Sequence, residues 1–239
     1  MIWTKEQAKA LTDRVLSMSK AEETFVLLTG GDRANLRFAR NTATTSGASS
    51  GMSLAITSSF GKRSGIVTTS QFDDESLQRA LRKAEEIAKV SPENPEAMPA
   101  LAPQTYGPSK AYFDDAANAS AEWRASSVET AVALAKKKDV VSAGFVETQA
   151  SIQALANSKG LFAYDRFTAA DYNLTARTPD GSGSGWPRSR STNCGFSIQE
   201  NSRLLRSTKP RWPRLPSASS PANTPSFWSR PQSPISSRS

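Results

Sequence analysis

Apolar residues recur at helical spacing in three stretches of the chain and alternate with polar ones through most of the rest. Thr4-Lys-Glu-Gln7 has the spacing of a capping box, and Leu11, Val15 and Met18 follow on one helical face, predicting a helix over residues 5–19. The β-branched and apolar run 24–29 then predicts a strand, Gly30-Gly31-Asp32 a hairpin turn, and 35–40 a second strand. In that second strand Leu36 and Phe38 share one face, while Asn35 and Arg37 share the other, as in a sheet with one solvated side. Strands over 42–46, 52–59 and 64–69 follow, separated by a Gly/Ser-rich link and by the turn Phe60-Gly-Lys-Arg63.

Asp73 or Asp74 caps a second helix whose buried stripe is Leu77, Leu81, Ala84 and Ile87. The prolines of Ser91-Pro-Glu-Asn-Pro-Glu-Ala-Met-Pro99 stop that helix, because they lack the amide donor, and predict a long surface connection. A third helix, about 120–137, carries Trp123, Val128, Val132 and Leu134. It ends in Lys136-Lys137-Lys138, read as cations at the negative end of the helix dipole rather than as a binding patch. Strands over 140–148, 151–156, 161–164 and 170–177 complete the pattern, with a turn at Asn157-Ser-Lys-Gly160. The expected fold class is α+β: two halves, each a helix followed by an antiparallel meander, forming one layered α/β domain.

Charge divides the chain at Trp186. Of 30 Lys+Arg and 22 Asp+Glu, residues 1–186 hold 21 of each, so the net +8 comes from residues 187–239, which hold 9 basic residues and 1 acidic. That segment has 14 Ser and 8 Pro among its 53 residues, too little apolar surface to offset the entropy of ordering it, and is expected to be a disordered basic tail. A basic arm can bind nucleic acid. Its aromatics, Phe196, Trp212, Phe227 and Trp228, lie outside any RNA-binding motif, so nucleic acid is not the expected partner.

Candidate chemistry is limited by what the side chains can do. Cys194 is the only cysteine and there is no histidine, which excludes an internal disulfide, an HExxH zinc site, a Ser-His-Asp triad and a Cys-His pair. The cysteine usage and the lack of a signal-like N-terminus point to a cytoplasmic protein, and no run approaches the ~20 apolar residues of a membrane span. Asp180-Gly-Ser-Gly-Ser-Gly-Trp186 lacks both phosphate-loop spacings and reads as a turn between strands.

Several short motifs taken in order carry more than any one alone. Arg37-Phe-Ala-Arg-Asn41 leads into Thr44-Thr-Ser-Gly47. Ser59-Phe-Gly-Lys-Arg-Ser-Gly65, Ser91-Pro-Glu-Asn-Pro-Glu96, Ala154-Leu-Ala-Asn-Ser-Lys-Gly160 and Asp180-Gly-Ser-Gly-Ser-Gly-Trp186 follow. Over residues 1–186 this order resembles the N-terminal domain of the TldD/PmbA family, intracellular peptidase-related proteins named for microcin maturation and modulation of DNA gyrase. The resemblance implies a domain that shapes a homo- or hetero-dimer and an enclosed peptide chamber. It also implies a later domain with zinc ligands in an HExxxH-type helix and a cysteine, where zinc polarises a peptide carbonyl and a Glu acts as base. No such residues occur here, so no catalytic or metal position carries over and no cofactor is assigned to this chain. A truncated peptidase-related protein is the leading expectation, and a non-catalytic partner subunit or adaptor the alternative. Arg37, Thr44, Thr45, Asn157 and Ser158 are the candidates for a polar sheet surface facing substrate or partner, set against a plainer role as solvated strand and turn residues.

The tail itself can be read in another frame. Regrouping bases so that each codon starts on the last base of the previous one, Phe227-Trp228 must encode Leu and Asn223-Thr224 either Tyr or His. The segment 222–231 is then compatible with GKYTVILEP, a strand resembling one that follows this domain in the family. A one-base frame change just after Trp186 is therefore expected. Sequencing the DNA beyond codon 186 tests it: an open shifted frame with HExxxH downstream is the expected result, and stop codons in that frame would end the idea.

Overall fold

The computed structural model describes residues 2–195, and the later tail, with its aromatics and the 222–231 segment, lies outside them. In chain order the elements are α1 (Lys5–Met18), β1 (Glu23–Ala39), β2 (Thr42–Phe60), β3 (Arg63–Thr69), α2 (Asp74–Val90), α3 (Asp114–Ala117), α4 (Ala121–Lys137), β4 (Val141–Asn157), β5 (Phe162–Arg177), β6 (Ser184–Gly185) and β7 (Arg188–Ser191). All strands join one antiparallel sheet in the order β3-β2-β1-β4-β5-β6, with β7 also on β5. The fold is α+β, as expected from the pattern.

Helix starts follow their caps. Thr4 Oγ1 accepts from Gln7 N at 3.2 Å and Gln7 Oε1 accepts from Thr4 N at 2.9 Å, closing the capping box of α1. Asp73, rather than Asp74, caps α2 by accepting from Ser76 N at 2.9 Å, and Ser120 caps α4 by accepting from Trp123 N at 3.1 Å. The short α3 has no counterpart in the sequence expectation.

Strands are fewer and longer than the pattern predicts. Gly30-Gly31-Asp32 is not a hairpin: β1 runs straight through it, paired with β2 on one side and β4 on the other. The Gly/Ser-rich link after residue 46 is part of β2, 141–157 is one strand, and 162–177 is one strand. Gly30 and Gly31 hold φ of +154° and +155°, and a Cβ would strike the Gly51 carbonyl at one and the Ala150 carbonyl at the other. These glycines permit close approach of three strands, a use that sequence alone does not separate from a turn.

The register explains the layering. β1 and β4 pair without a slip from Phe25↔Asn157 to Phe38↔Gly144, so every second residue of β1 from Val26 to Phe38 faces one side. At one end of that side Val26, Leu28, Leu54, Ile56 and Ile152 pack under α1 and α2. At the other end Phe38, Val146, Tyr172 and Leu174 pack under α4 through Val128 and Ala131, with the Phe38 and Tyr172 rings stacked at 6.4 Å. α2 lies directly on β3, where Gly65 leaves no room for a Cβ beneath the backbone of Ala84 and Ala88.

Among the described residues the opposite face has no helix. At one end the Pro-rich connection straps across it, tied by Ala100 N to Glu23 Oε2 (2.9 Å) and by Asn157 Nδ2 to the Leu101 carbonyl (2.8 Å). Phe25, Leu101, Tyr106 and Leu155 line a cavity of about 390 Å³ beneath the strap. The sheet also continues beyond Trp186. β7 pairs with β5 from Asn173↔Arg188 to Ala170↔Ser191, and the guanidinium of Arg188 grips the buried Asp171 carboxylate with two nitrogens.

Substituting Gly31→Ala should cost about 1–3 kcal/mol through overpacking against β4, read as a lower denaturant midpoint at unchanged slope. An unchanged midpoint would mean that the two strands can part there without cost.

Candidate functional site

β2 is nineteen residues long, and β3 covers only its last seven, from Leu54↔Thr69 to Phe60↔Arg63. From Thr42 to Ser53 the outer edge of β2 therefore meets no strand among the described residues. This stretch, TATTSGASSGMS, is exposed on both faces through Gly51. Neither Pro nor any charged residue occurs anywhere in β2. Native edges are normally blunted by Lys, Pro or an inward charge, because an open row of amides and carbonyls pairs with any extended chain. An edge of this length left unprotected is chemically a strand acceptor.

The groove beside it adds side-chain space. On the helix-bearing face Asp32, Ala34, Ala48, Ser50, Thr148 and Ala150 floor a cavity of about 370 Å³, walled by Ala116, Ala117 and Ala119 around α3. Small residues on three adjacent strands leave this space, and it opens where β2 is the last strand. The Ser50 hydroxyl donates to the Asp32 carboxylate and holds it below the usual carboxylate range. Behind the wall Arg124, almost fully buried, donates from Nη1 to the Ala119 carbonyl (2.9 Å) and to Thr148 Oγ1 (3.1 Å).

The five residues singled out in the sequence fall into two groups. Arg37 and Thr45 are direct partners across β1 and β2, and Thr44 is the extra residue of a bulge beside them. All three are exposed at the start of the open edge. Arg37 makes no ion pair with a described residue, whereas Arg33, four residues earlier on the same face, pairs with Glu147 at 3.6 Å. Asn157 and Ser158 lie at the other end of the sheet. From position 25, the partner of Asn157, to position 37 of β1 is roughly 40 Å at ~3.3 Å per residue. Asn157 is buried and accepts from the backbone of Lys159 and Leu161, and Ser158 Oγ accepts from Thr24 N at 3.1 Å. Those two side chains secure a turn and the strap. Asp32, Ala48 and Ser50 escaped the sequence reading because Asp32 was assigned to a turn and the other two to a link. The signal that marks Ala48 and Ser50 is the long stretch of β2 without charge or proline, and Asp32 carries no such mark.

The zinc implied by the resemblance does not fit these residues. The chain has no histidine, and among the described residues no three Cys, Asp or Glu side chains converge. The Cys194 thiol, half-buried beside α3, is pushed up to about 11 by burial and then by the nearby Asp115 carboxylate, so it stays protonated and is a poor zinc ligand.

Comparison with known proteins bears on this architecture. Two family models match the chain: "PmbA/TldA metallopeptidase domain 1" over residues 26–88 and "PmbA/TldA metallopeptidase central domain" over 110–207. Comparison with curated proteins gives no match. Among solved structures, TldE of Thermococcus kodakarensis superposes with TM-score 0.73 at 16% identity, over 83% of this chain and 46% of that one. A proposed modulator of DNA gyrase from Thermotoga maritima gives 0.71 at 13%, over 82% and 46%, and another from Bacteroides thetaiotaomicron gives 0.68 at 15%, over 85% and 50%. The chain thus spans about half the length of the solved structures it matches. Among the described residues no helix is long and apolar enough to cross a membrane.

Alkylation of Cys194 provides a direct check of its surroundings. With the thiol near 11 rather than its ordinary value, iodoacetamide at pH 8 should react about a hundredfold more slowly with the native chain than with the unfolded one. Equal rates would show that the thiol is neither desolvated nor faced by Asp115.

Proposed function

Because the chain belongs to the PmbA/TldD metallopeptidase family, we propose that it is the peptide-holding part of a peptidase-related protein, which takes up an extended chain along β2. One observation carries this reading: the open edge from Thr42 to Ser53 has neither charge nor proline to repel a pairing strand. Backbone pairing of this kind accepts many sequences, which suits unfolded or modified peptides. Side chains pointing to the helix-bearing face reach the alanine-walled groove, and those pointing the other way meet Thr45 and Arg37. Thr44 would widen the spacing there through its bulge.

Holding and cutting are separate tasks in this proposal. Zinc-dependent cleavage, the activity that the family resemblance implies, needs donors that the described residues do not offer, so they are assigned binding and no chemical step. The metal-bearing part would come from a different subunit of the same family, in a hetero-dimer, or from the family's C-terminal half; a homo-dimer of this chain would hold peptide only. The same geometry serves a non-catalytic partner subunit or adaptor. Cytoplasmic peptides are the proposed substrates. The central-domain match reaches residue 207, which supports placing a frame junction between 207 and the 222–231 segment rather than directly after Trp186.

Hydrogen exchange of the full chain with excess uncharged peptide of about twelve residues tests the reading. Amides between 42 and 53 should gain protection, while the chain with zinc alone should leave the peptide intact. Protection confined to the strap cavity, or cleavage by the chain alone, would overturn it.

A further inference from the structure

All the non-glycine residues with positive φ among those described gather at one end of the sheet: Arg40 (50°) and Asn41 (59°) in the β1–β2 turn, and Asp139 (51°) at the entry to β4. A turn with both central residues left-handed ordinarily takes Asn-Gly, and an arginine in its first place is held there against its preference. The holding is done by a dense clasp. Asn41 donates from its amide to the Ser142 carbonyl (3.2 Å) and from Nδ2 to the Val140 carbonyl (2.9 Å), while its Oδ1 accepts from Ser142 N and Oγ, both at 2.7 Å. Ser142 is fully buried, so the tip is fixed rather than loose.

Cations converge at the same end from separate elements. Arg37 and Arg40 come from the β1–β2 hairpin, Lys136, Lys137 and Lys138 from the end of α4, and Arg177 from the end of β5, where it partners Val141. All six are exposed, and none forms an ion pair with a described residue. The carboxylates near this end are Asp139, Asp180, which already accepts from Ser182 N and Oγ, and Glu147, two positions along β4 from Arg37's partner Phe145 and paired with Arg33. The first 186 residues are formally neutral, so this concentration is a matter of placement and not of composition. At the strap end Arg63 pairs with Glu93 and Lys159 with Glu23, so carboxylates lie among the cations there. A predominantly positive field, displayed on a rigid tip, attracts the opposite charge with little ordering cost.

The open edge of β2 begins at this tip. We propose that the tip reads the charge of the bound chain: a peptide lying along β2 is preferred when the residues it places alongside Thr42–Thr45 carry carboxylates. The inference rests on the strand-addition reading and names the substrate class of that site, extended peptides with an acidic end. Arg37 and Arg40 are the contacting cations, and the α4 lysines and Arg177 deepen the potential behind them.

Fluorescence anisotropy with the full chain separates the possibilities. The probes are labelled Thr/Ser/Val peptides of about twelve residues, either uncharged or with three Asp at the N-terminal end, in the middle or at the C-terminal end. One terminal placement should bind about three- to tenfold more tightly than the uncharged peptide, with the gain lost in half-molar salt. The variant Arg37→Ser/Arg40→Gly should bind the acidic-ended and uncharged peptides with equal affinity, removing that gain, with glycine suited to the left-handed turn position. The basic residues after Trp186 are common to both proteins, so a gain they supply would survive the double substitution. Binding of all peptides with equal affinity, or an acidic preference that survives the double substitution, overturns the charge reading alone. Failure of every peptide to bind overturns strand addition with it.

Discussion

The unslipped pairing of β1 with β4 is the constraint on which the rest of the structure depends. Because the register holds from Phe25 to Phe38, the residues that bury under α1 and α2 and those that bury under α4 lie on the same face, at opposite ends of the same two strands. A slip of one residue anywhere between them would turn either Phe38 or Val146 outward and take from α4 part of its floor. Each large apolar side chain kept buried is worth roughly 1.5–3 kcal/mol, so several such losses exceed the margin of a typical domain. The glycine pair at 30–31 sits where this register is most exposed to crowding, between the carbonyls of β2 and β4.

Unequal strand lengths follow from that constraint. β2 must accompany β1 along its whole length, while β3 ends at Thr69 because the chain turns there to start α2, which folds back onto β3 at Gly65. Twelve of the nineteen residues of β2 are thus left as an edge. The same arrangement sets the character of the two ends. At the strap end Arg63 and Lys159 are paired with carboxylates, and the Pro-rich connection covers apolar strand residues. At the hairpin end, backbone strain is held by Asn41 and Ser142, and the cations are unmatched. The face opposite the helices carries Phe25 and Ile66 exposed, a surface that a further layer would cover.

Helices were legible because their signals are local: a hydroxyl or carboxylate at Thr4, Asp73 and Ser120, and an apolar stripe behind each. Strands were legible in kind and not in extent. Gly30-Gly31-Asp32 and the Gly/Ser run of β2 have the composition of turns, and whether such residues turn or extend depends on partners far away in the chain. The same limit applied to the site. Arg37, Thr44 and Thr45 share the exposed start of an edge, whereas Asn157 and Ser158, equally polar on paper, are consumed by internal hydrogen bonds roughly 40 Å away.

By itself the sequence determined the α+β class, the helix boundaries, the family to which the motif order points, and the absence of histidine chemistry. Each depends on residue identity or short-range spacing. Tertiary structure decided that two meanders merge into one long sheet, which strand is left as an edge, and which polar side chains remain free to meet a partner. Those outcomes depend on register and on competition for the same hydrogen bonds, and both are settled between residues more than a hundred positions apart.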